Sequence, residues 1–389
     1  MANVGIDIKV TNTVLGAPPD VNANSILFVA GASATDGGEM AFTLGIPFLL
    51  RSVDDLDTLG ITADNNPCID KQVRDFYRPT SNVDNTGTML WLVGVNGATI
   101  TSDAIVSAVR ETVINGFQYR PRNIIVAETS STSGDEVIIP ADMQTAIDSL
   151  YTEGFATVAL IPSKVKATVS AFADLSALSA PMVGVVAICD EAPAQGKYII
   201  TGKVGGYMAS LSVGTAIGDA SLPPFASTLY LACTALKPCA TLSLSECRTL
   251  GEKQLIFART RAPKNGLWIN DGATAVSADT ALSTLEAGRV IASMVDDLRT
   301  FFTPYLNNRI PVNSEGDIQS TYKQVVLDSA RDAIVSKYVE NGDISDARIS
   351  LVARDNDMVG TRTWEVTLSI LPAPTLRWID GFVFYVKKF

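Results

Sequence analysis

Five short apolar runs, at 26–30, 89–95, 123–127, 156–161 and 182–188, alternate along this chain with stretches of helical pattern at 67–77, 103–114, 141–151 and 164–175. A strand that is apolar at successive positions is buried on both faces, and a mostly parallel sheet between two layers of helices buries it so. The pattern predicts a doubly wound α/β unit. Polar, Gly- or Pro-containing breaks at 80–87, 130–135 and 191–197 read as its surface loops. Around Ser221-Leu222-Pro223-Pro224 the pattern becomes irregular.

A second unit begins near Leu244, with a short helix at 244–253 and strands at 255–258 and 267–270. A long helix follows, with Ala287, Ile291, Met294, Leu298 and Phe301 on one stripe, until Pro304 ends it. The next helix runs from an N-cap at Asp317 to Glu340, with Tyr322, Val325, Val326, Ala330, Ala333, Ile334 and Lys337 on its covered face. Asn341-Gly342 stops it. Ala347, Ile349, Leu351 and Ala353, and then Trp364, Val366, Leu368 and Ile370, alternate with mostly polar neighbours at the period of half-buried strands. This half is α+β, with helices packed on a small, antiparallel sheet.

Both ends of the chain carry strand pattern, although chain ends are usually polar and frayed. Val4, Ile6, Ile8 and Val10 alternate with Gly5, Asp7 and Lys9, and Phe382, Val383, Phe384, Tyr385 and Val386 form a closing run. Residues 11–24, with Gly16 and Pro18-Pro19, read as a linker. Terminal apolar strands either complete their own domain's sheet or add to a neighbour's open edge. The expected division is therefore 1–24 as strand arm and linker, 25–243 as an inserted α/β domain, 244–371 as the α+β domain and 372–389 as a second strand arm.

Composition narrows the chemistry. There is no histidine among the 389 residues, which removes the commonest general base and metal ligand. Cys68, Cys189, Cys233, Cys239 and Cys247 are odd in number and lack C-x-x-C spacing, so they read as buried apolar residues in a reducing compartment. A formal charge of −11 opposes nucleic-acid binding and suits solubility or docking to a basic protein. No secretory signal and no apolar run long enough to span a membrane is present, so synthesis in the cytoplasm is expected.

Motif-like stretches resolve into structural roles. The segment Gly31 to Gly38 lacks the Gly-Lys-Ser/Thr of a phosphate loop and reads as a plain loop. Gly202-Lys203-Val204-Gly205-Gly206 is better explained by close backbone packing. Asp54-Asp55-Leu56-Asp57 reads as charge at a helix start, Asp355-Asn356-Asp357 as a turn, and Asp296-Asp297 as a solvated helix face. The four tryptophans, Trp91, Trp268, Trp364 and Trp378, read as strand core residues, with Trp378 the best placed to reach a partner subunit. No catalytic, cofactor-binding or metal-ligating residue is expected, and the chain is expected not to be an enzyme.

The order of parts resembles the tail sheath proteins of contractile phages and phage-like particles, at a length similar to the compact sheaths of R-type bacteriocins. Residues 255–258 followed by Lys264-Asn265-Gly266-Leu267-Trp268-Ile269-Asn270-Asp271-Gly272 resemble the strand, turn and G-x-x-W-G-x-R-T segment opening that family's C-terminal domain. The two long helices follow in the family's order. Pro47-Phe48-Leu49-Leu50-Arg51-Ser52, leading to Leu59-Gly60-Ile61, and the segment Tyr119 to Ala127 resemble earlier family segments. Asn270-Asp271-Gly272 departs from the family's Gly-Asn-Arg-Thr-like turn.

The resemblance implies a doubly wound α/β outer domain inserted in a helical α+β sheath domain, whose sheet is completed by N- and C-terminal strand arms. It implies a homo-oligomer of hexameric rings stacked in a helix around an inner tail tube protein, with baseplate and tail terminator proteins as further partners, and with neither nucleic acid nor membrane. Assembly into a virion tail or phage-like particle follows from it. The expected inter-subunit strands are Val4, Ile6, Ile8 and Val10 and residues Phe382 to Val386. The expected tube-facing helix carries Asp317, Asp328, Arg331 and Asp332. Five acids against three bases over 317–343 predict a basic tube exterior. The alternatives are an α/β binding or carrier protein whose terminal strands close its own sheet, and an enzyme using carboxylates.

Overall fold

The computed structural model describes residues 8–10, 13–15, 25–36, 40–96, 100–115, 120–127, 138–191 and 199–373. Two three-residue strands, β1 (Ile8–Val10) and β2 (Thr13–Leu15), pair antiparallel, so part of the expected linker folds back on the first strand. The apolar runs then form β3 (Ile26–Gly31), β5 (Leu90–Val95), β6 (Asn123–Ala127), β7 (Val158–Pro162) and β8 (Val183–Val186), all parallel. β4 (Pro47–Leu50), absent from the expected strands, pairs antiparallel with β5 at one edge. The sheet order is β4-β5-β3-β6-β7-β8.

That order reverses direction at β3, and right-handed crossovers then put the helices before the reversal on one face and those after it on the other. The burial follows this rule. α1 (Asp54–Thr58) and α2 (Pro67–Tyr77) cover Ile26, Phe28, Leu92 and Ile125. α3 (Ser102–Asn115) and α4 (Pro140–Thr152) cover Leu27, Val29, Ile124 and Val126 on the other face. After β9 (Ile188–Cys189), α5 (Thr201–Ala209) packs beside α2, as the glycine run at 202–206 suggested. A Cβ on Gly202 or Gly206 would collide with the backbone carbonyls of Gln72 or Phe76. The two helices therefore touch main chain to main chain. Buried Gln72 and Asn85 pin the contact, Gln72 accepting from Gly202 N–H at 2.7 Å and Asn85 donating to the Phe76 and Gly206 carbonyls at 2.8 Å.

The helix expected at 164–175 is not formed; only a single 3-10 turn, Val169–Ala171, occurs there. Val165, Val169 and Phe172 imitate helical spacing, but Lys166 is held extended by main-chain bonds to Ala232 and Thr234. β-Branched residues give the segment little helical preference to oppose this. β10 (Tyr230–Leu231) pairs with β9, and α6 (Leu244–Glu252) follows. Ser243 and Glu246 close a capping box there, Ser243 Oγ accepting from Glu246 N–H and Glu246 Oε2 from Ser243 N–H. The Ser243 N–H, the largest cause, and Lys237 hold the Glu246 carboxyl below its ordinary 4.5. Its contribution is thus present above pH 4.5 and is lost as pH falls through the lower folded value. Ser243→Ala is expected to cost about 1 kcal/mol, measurable by chemical denaturation at neutral pH.

The strand expected at 255–258 is displaced. β11 (Ala258–Arg261) pairs with β12 (Lys264–Ile269), while Ile256 bridges in parallel to β8. Asn270, the departure from the family turn, accepts from Phe257 N–H at 2.7 Å and donates to the Leu255 carbonyl at 3.2 Å. α7 (Leu285–Phe302) forms where the apolar stripe predicts it and ends before Pro304. It is buried on two sides: Leu285, Ala292 and Val295 join the core of the parallel sheet, while Met294, Leu298 and Phe302 join a separate core. That second core is built with α8 (Ser320–Ala330), a π turn (Arg331–Val335), α9 (Ser336–Glu340) and β13 (Ile344–Ala353). A short α10 (Met358–Thr361) links β13 to its antiparallel partner β14 (Trp364–Pro372).

Candidate functional site

β13 and β14 form a sheet of their own, paired from Ile344 with Pro372 to Ala353 with Trp364, with a bulge near Ile344. Alternation places Ala347, Leu351 and Ala353 of β13 in the core, and they are buried. On the same face Trp364, Val366, Leu368 and Ile370 of β14 are only half-buried. The apolar floor runs past the helices that cover it. Arg348, Ser350, Glu365, Thr367 and Ser369 face solvent. Trp364 anchors the start of β14 through an edge-to-face contact with Phe302 at 6.2 Å and a tilted one with Tyr305 at 5.5 Å.

Among the described residues, neither outer edge of this pair carries a laddered strand. β1 comes alongside β14, yet its hydrogen-bonded partner is β2. Of the strand residues read from the sequence, Ile8 and Val10 lie in β1; Val4, Ile6 and Phe382, Val383, Phe384, Tyr385 and Val386 lie outside the described residues. An edge of this kind presents N–H and C=O groups able to accept another strand.

The helical face departs from expectation in two ways. Asp317 is no N-cap: it lies in the preceding loop, accepting from Ile318 N–H, and Gln319 occupies the cap without a side-chain bond. The covered residues are Val326, Ala330, Ile334, Val335 and Tyr338, whereas Val325 is 59% exposed and Ala333 and Lys337 are exposed. The π turn explains why Tyr338 is covered in place of Lys337, because its extra residue moves the covered positions on by one after Ile334. Asp328, Arg331 and Asp332 are exposed together, with Asp328 accepting from Gln324 at 2.8 Å and Arg331 pairing with Asp346 at 3.1 Å. Asp317 stands apart from them.

Asp296-Asp297 is not a solvated face. Asp296 pairs with Arg122 at 2.8 Å and lies 3.5 Å from Arg299, whose side chain is 0% exposed and donates to the Gly154 carbonyl. Asp297 points the other way, accepting from Tyr338 at 2.8 Å and from Lys337 at 3.1 Å. Neighbouring acids on α7 thus tie it to the parallel-sheet unit and to the helices beneath β13. The available sequence signal was an arginine three residues after Asp296, at the spacing of a helical i,i+3 pair.

The remaining sequence features take structural places. The three acids at 54–57 lie in the first turn of α1, and Asp357 caps α10 by accepting from Gly360 N–H. All five cysteines are buried and unpaired with each other. Trp91 and Trp268 are buried, and Trp378 lies outside the described residues. Among the described residues no cluster of His, Cys, Asp or Glu is placed to hold a metal, and no helix is long and apolar enough to cross a membrane.

No family model matches the sequence, and no curated protein matches it. Solved structures do. A chain of the anti-feeding prophage baseplate aligns with a TM-score of 0.64 at 11% identity, over 99% of this chain and 97% of that one. A chain of the PVC sheath complex, an extracellular contractile injection system in the contracted state, gives 0.60 at 13% identity over 100% and 98%. The sheath tail protein of Listeria innocua gives 0.54 at 8% identity over 90% and 96%. The mixed α/β fold is the one found in these structures.

Proposed function

We propose that this protein is a tail sheath subunit of a contractile particle, polymerising by strand exchange into a six-fold helical sheath around an inner tube. The observation that carries the proposal is the extent of the fold match, which takes in nearly the whole of this chain, of a prophage-baseplate chain and of a chain from a contractile injection system's sheath complex. The two-stranded β13–β14 sheet supports it, since among the described residues no laddered strand pairs with either outer edge and its floor is half-covered. Strand addition there would supply main-chain hydrogen bonds worth about 0.5–1.5 kcal/mol each net.

In this reading residues 1–24 and 372–389 are the arms, residues 25–243 the outer domain and residues 244–371 the domain facing the tube. The exposed Asp328, Arg331 and Asp332 face a basic tube exterior, and Asp317 lies at the margin of that surface. Contraction would rotate subunits as rigid bodies about the arm joints and drive the tube into a target envelope. Baseplate and terminator proteins would cap the two ends.

Removing residues 1–10 or 382–389 is expected to abolish rings and tubules in negative-stain microscopy while circular dichroism stays folded. A truncated chain that unfolds altogether would instead mean that the terminal strands close an intramolecular sheet, as in a carrier protein.

A further inference from the structure

β1 approaches β14 and makes no comparable approach to β13. It therefore lies along the outer side of β14, where among the described residues no strand is laddered. β2 approaches α4 of the parallel-sheet unit. The β1–β2 hairpin thus reaches from α4 to the edge of the β13–β14 sheet. The ladder of β1 is nevertheless taken up by β2, through the pairs Ile8–Leu15, Lys9–Val14 and Val10–Thr13. The hairpin covers the edge without being part of its sheet.

Lengths make this cover a weak one. β14 runs nine residues, whereas β1 and β2 run three each. A lone two-stranded hairpin is marginally stable in water at best, and this one draws no ladder from β14. A strand from another copy laid along β14 would bond over most of its length, each bond contributing about 0.5–1.5 kcal/mol net. Folded chains commonly shield an edge with a short element to keep it from pairing. A shield held by proximity alone gives way to a longer strand that brings hydrogen bonds.

We infer that the β1–β2 hairpin is an autoinhibitory cover, folded back over the outer edge of β14 in the free chain until a second copy's strand displaces it. Displacement frees β1 to pair elsewhere, so each addition readies the next donor strand. The cover is a property of the single chain; the release of a donor rests on the sheath reading.

The experiment compares wild type with the double variant Val14→Pro, Leu15→Pro, both as full chains dispersed below the concentration at which they assemble. Proline supplies no N–H, and two adjacent prolines strike the hairpin ladder whichever residue donates. Residues 1–10 stay unchanged. Hydrogen exchange read by mass spectrometry is expected to speed up about tenfold over 364–372, with 285–302 and 344–353 unaltered. Equal exchange at 364–372 in the two proteins, or an even rise across all three segments, overturns the inference. A second reading does without the prolines. A p-benzoylphenylalanine placed in turn at Glu365, Thr367 and Ser369, which are exposed on β14, is expected on irradiation to capture residues 8–15 of the same chain. Capture at none of the three positions, or only between isotopically mixed chains, overturns the inference. Because the uncovered fraction scales the apparent affinity for an incoming strand, the concentration needed for tubules is expected to fall in the double variant by the factor by which exchange rises. No fall in that concentration overturns the inhibitory role. If neither protein forms tubules, the sheath reading fails, and exchange and capture still decide whether β14 is covered.

Discussion

Asp296→Ala is expected to lower the free energy of unfolding by about 3–5 kcal/mol. The side chains of Arg122 and Asp296 are 12% and 15% exposed, and that of Arg299 is 0% exposed. Removing the carboxylate leaves two guanidinium groups close together in a medium that solvates them poorly. The cost comes less from the lost attraction than from charge left buried without its counterion. A denaturant titration of the unassembled protein measures it. The companion Asp297→Ala is expected to cost less, about 1–3 kcal/mol, because it strands only the buried Tyr338 hydroxyl while Lys337 turns to water. A loss below 1 kcal/mol for Asp296→Ala would mean that the acid is solvated, as its sequence context suggested. A variant that also removes one of the two guanidinium groups, Arg122→Met with Asp296→Leu, is expected to recover only part of the loss, since Arg299 keeps its buried charge.

Gly206→Ala should produce the second large effect, and its sign opposes helix propensity. In an unpacked helix alanine is favoured over glycine by about 1 kcal/mol. Here a methyl group would meet the Phe76 main chain, which cannot rotate out of the way as a side chain would. α5 would have to back off from α2, opening the core beneath Ile125 and breaking the Asn85 bonds that span both helices. Overpacking of this kind costs about 1–3 kcal/mol and at times more, so net destabilisation is expected, and more so with Gly202→Ala added. Gly251→Ala in α6 provides the contrast. Nothing lies within 4 Å of its Cβ position, so a gain of about 0.5–1 kcal/mol is expected. Equal melting temperatures for Gly206→Ala and wild type would show that the helices do not touch at this point.

These two cases also show where sequence reasoning stops. The glycine run at 202–206 was legible as close packing, because glycine in a helix needs a reason and no phosphate-loop spacing supplied one. Its partner helix was not legible. Asp296 and Arg299 were harder still: a charged residue carries the same letter whether it faces water or a buried counterion, and α7 therefore showed one apolar stripe where it has two covered sides. The Lys164–Leu175 stretch failed in the opposite direction. Its spacing was helical, but long-range main-chain bonds to 232–234 outweighed weak local preference.

Local pattern alone determined the parallel strands, the helices between them, α7 and the β13–β14 alternation, since each depends on periodicity within a dozen residues. It also determined the absence of histidine chemistry. Tertiary structure decided which residues on each element meet a distant one. The antiparallel edge at β4, the attachment of Ile256 to β8, and the acids that hold α7 between two cores all arise there. Each is settled by main-chain bonding or counterions supplied from far along the chain, and such partners leave no periodic trace in the segment that receives them.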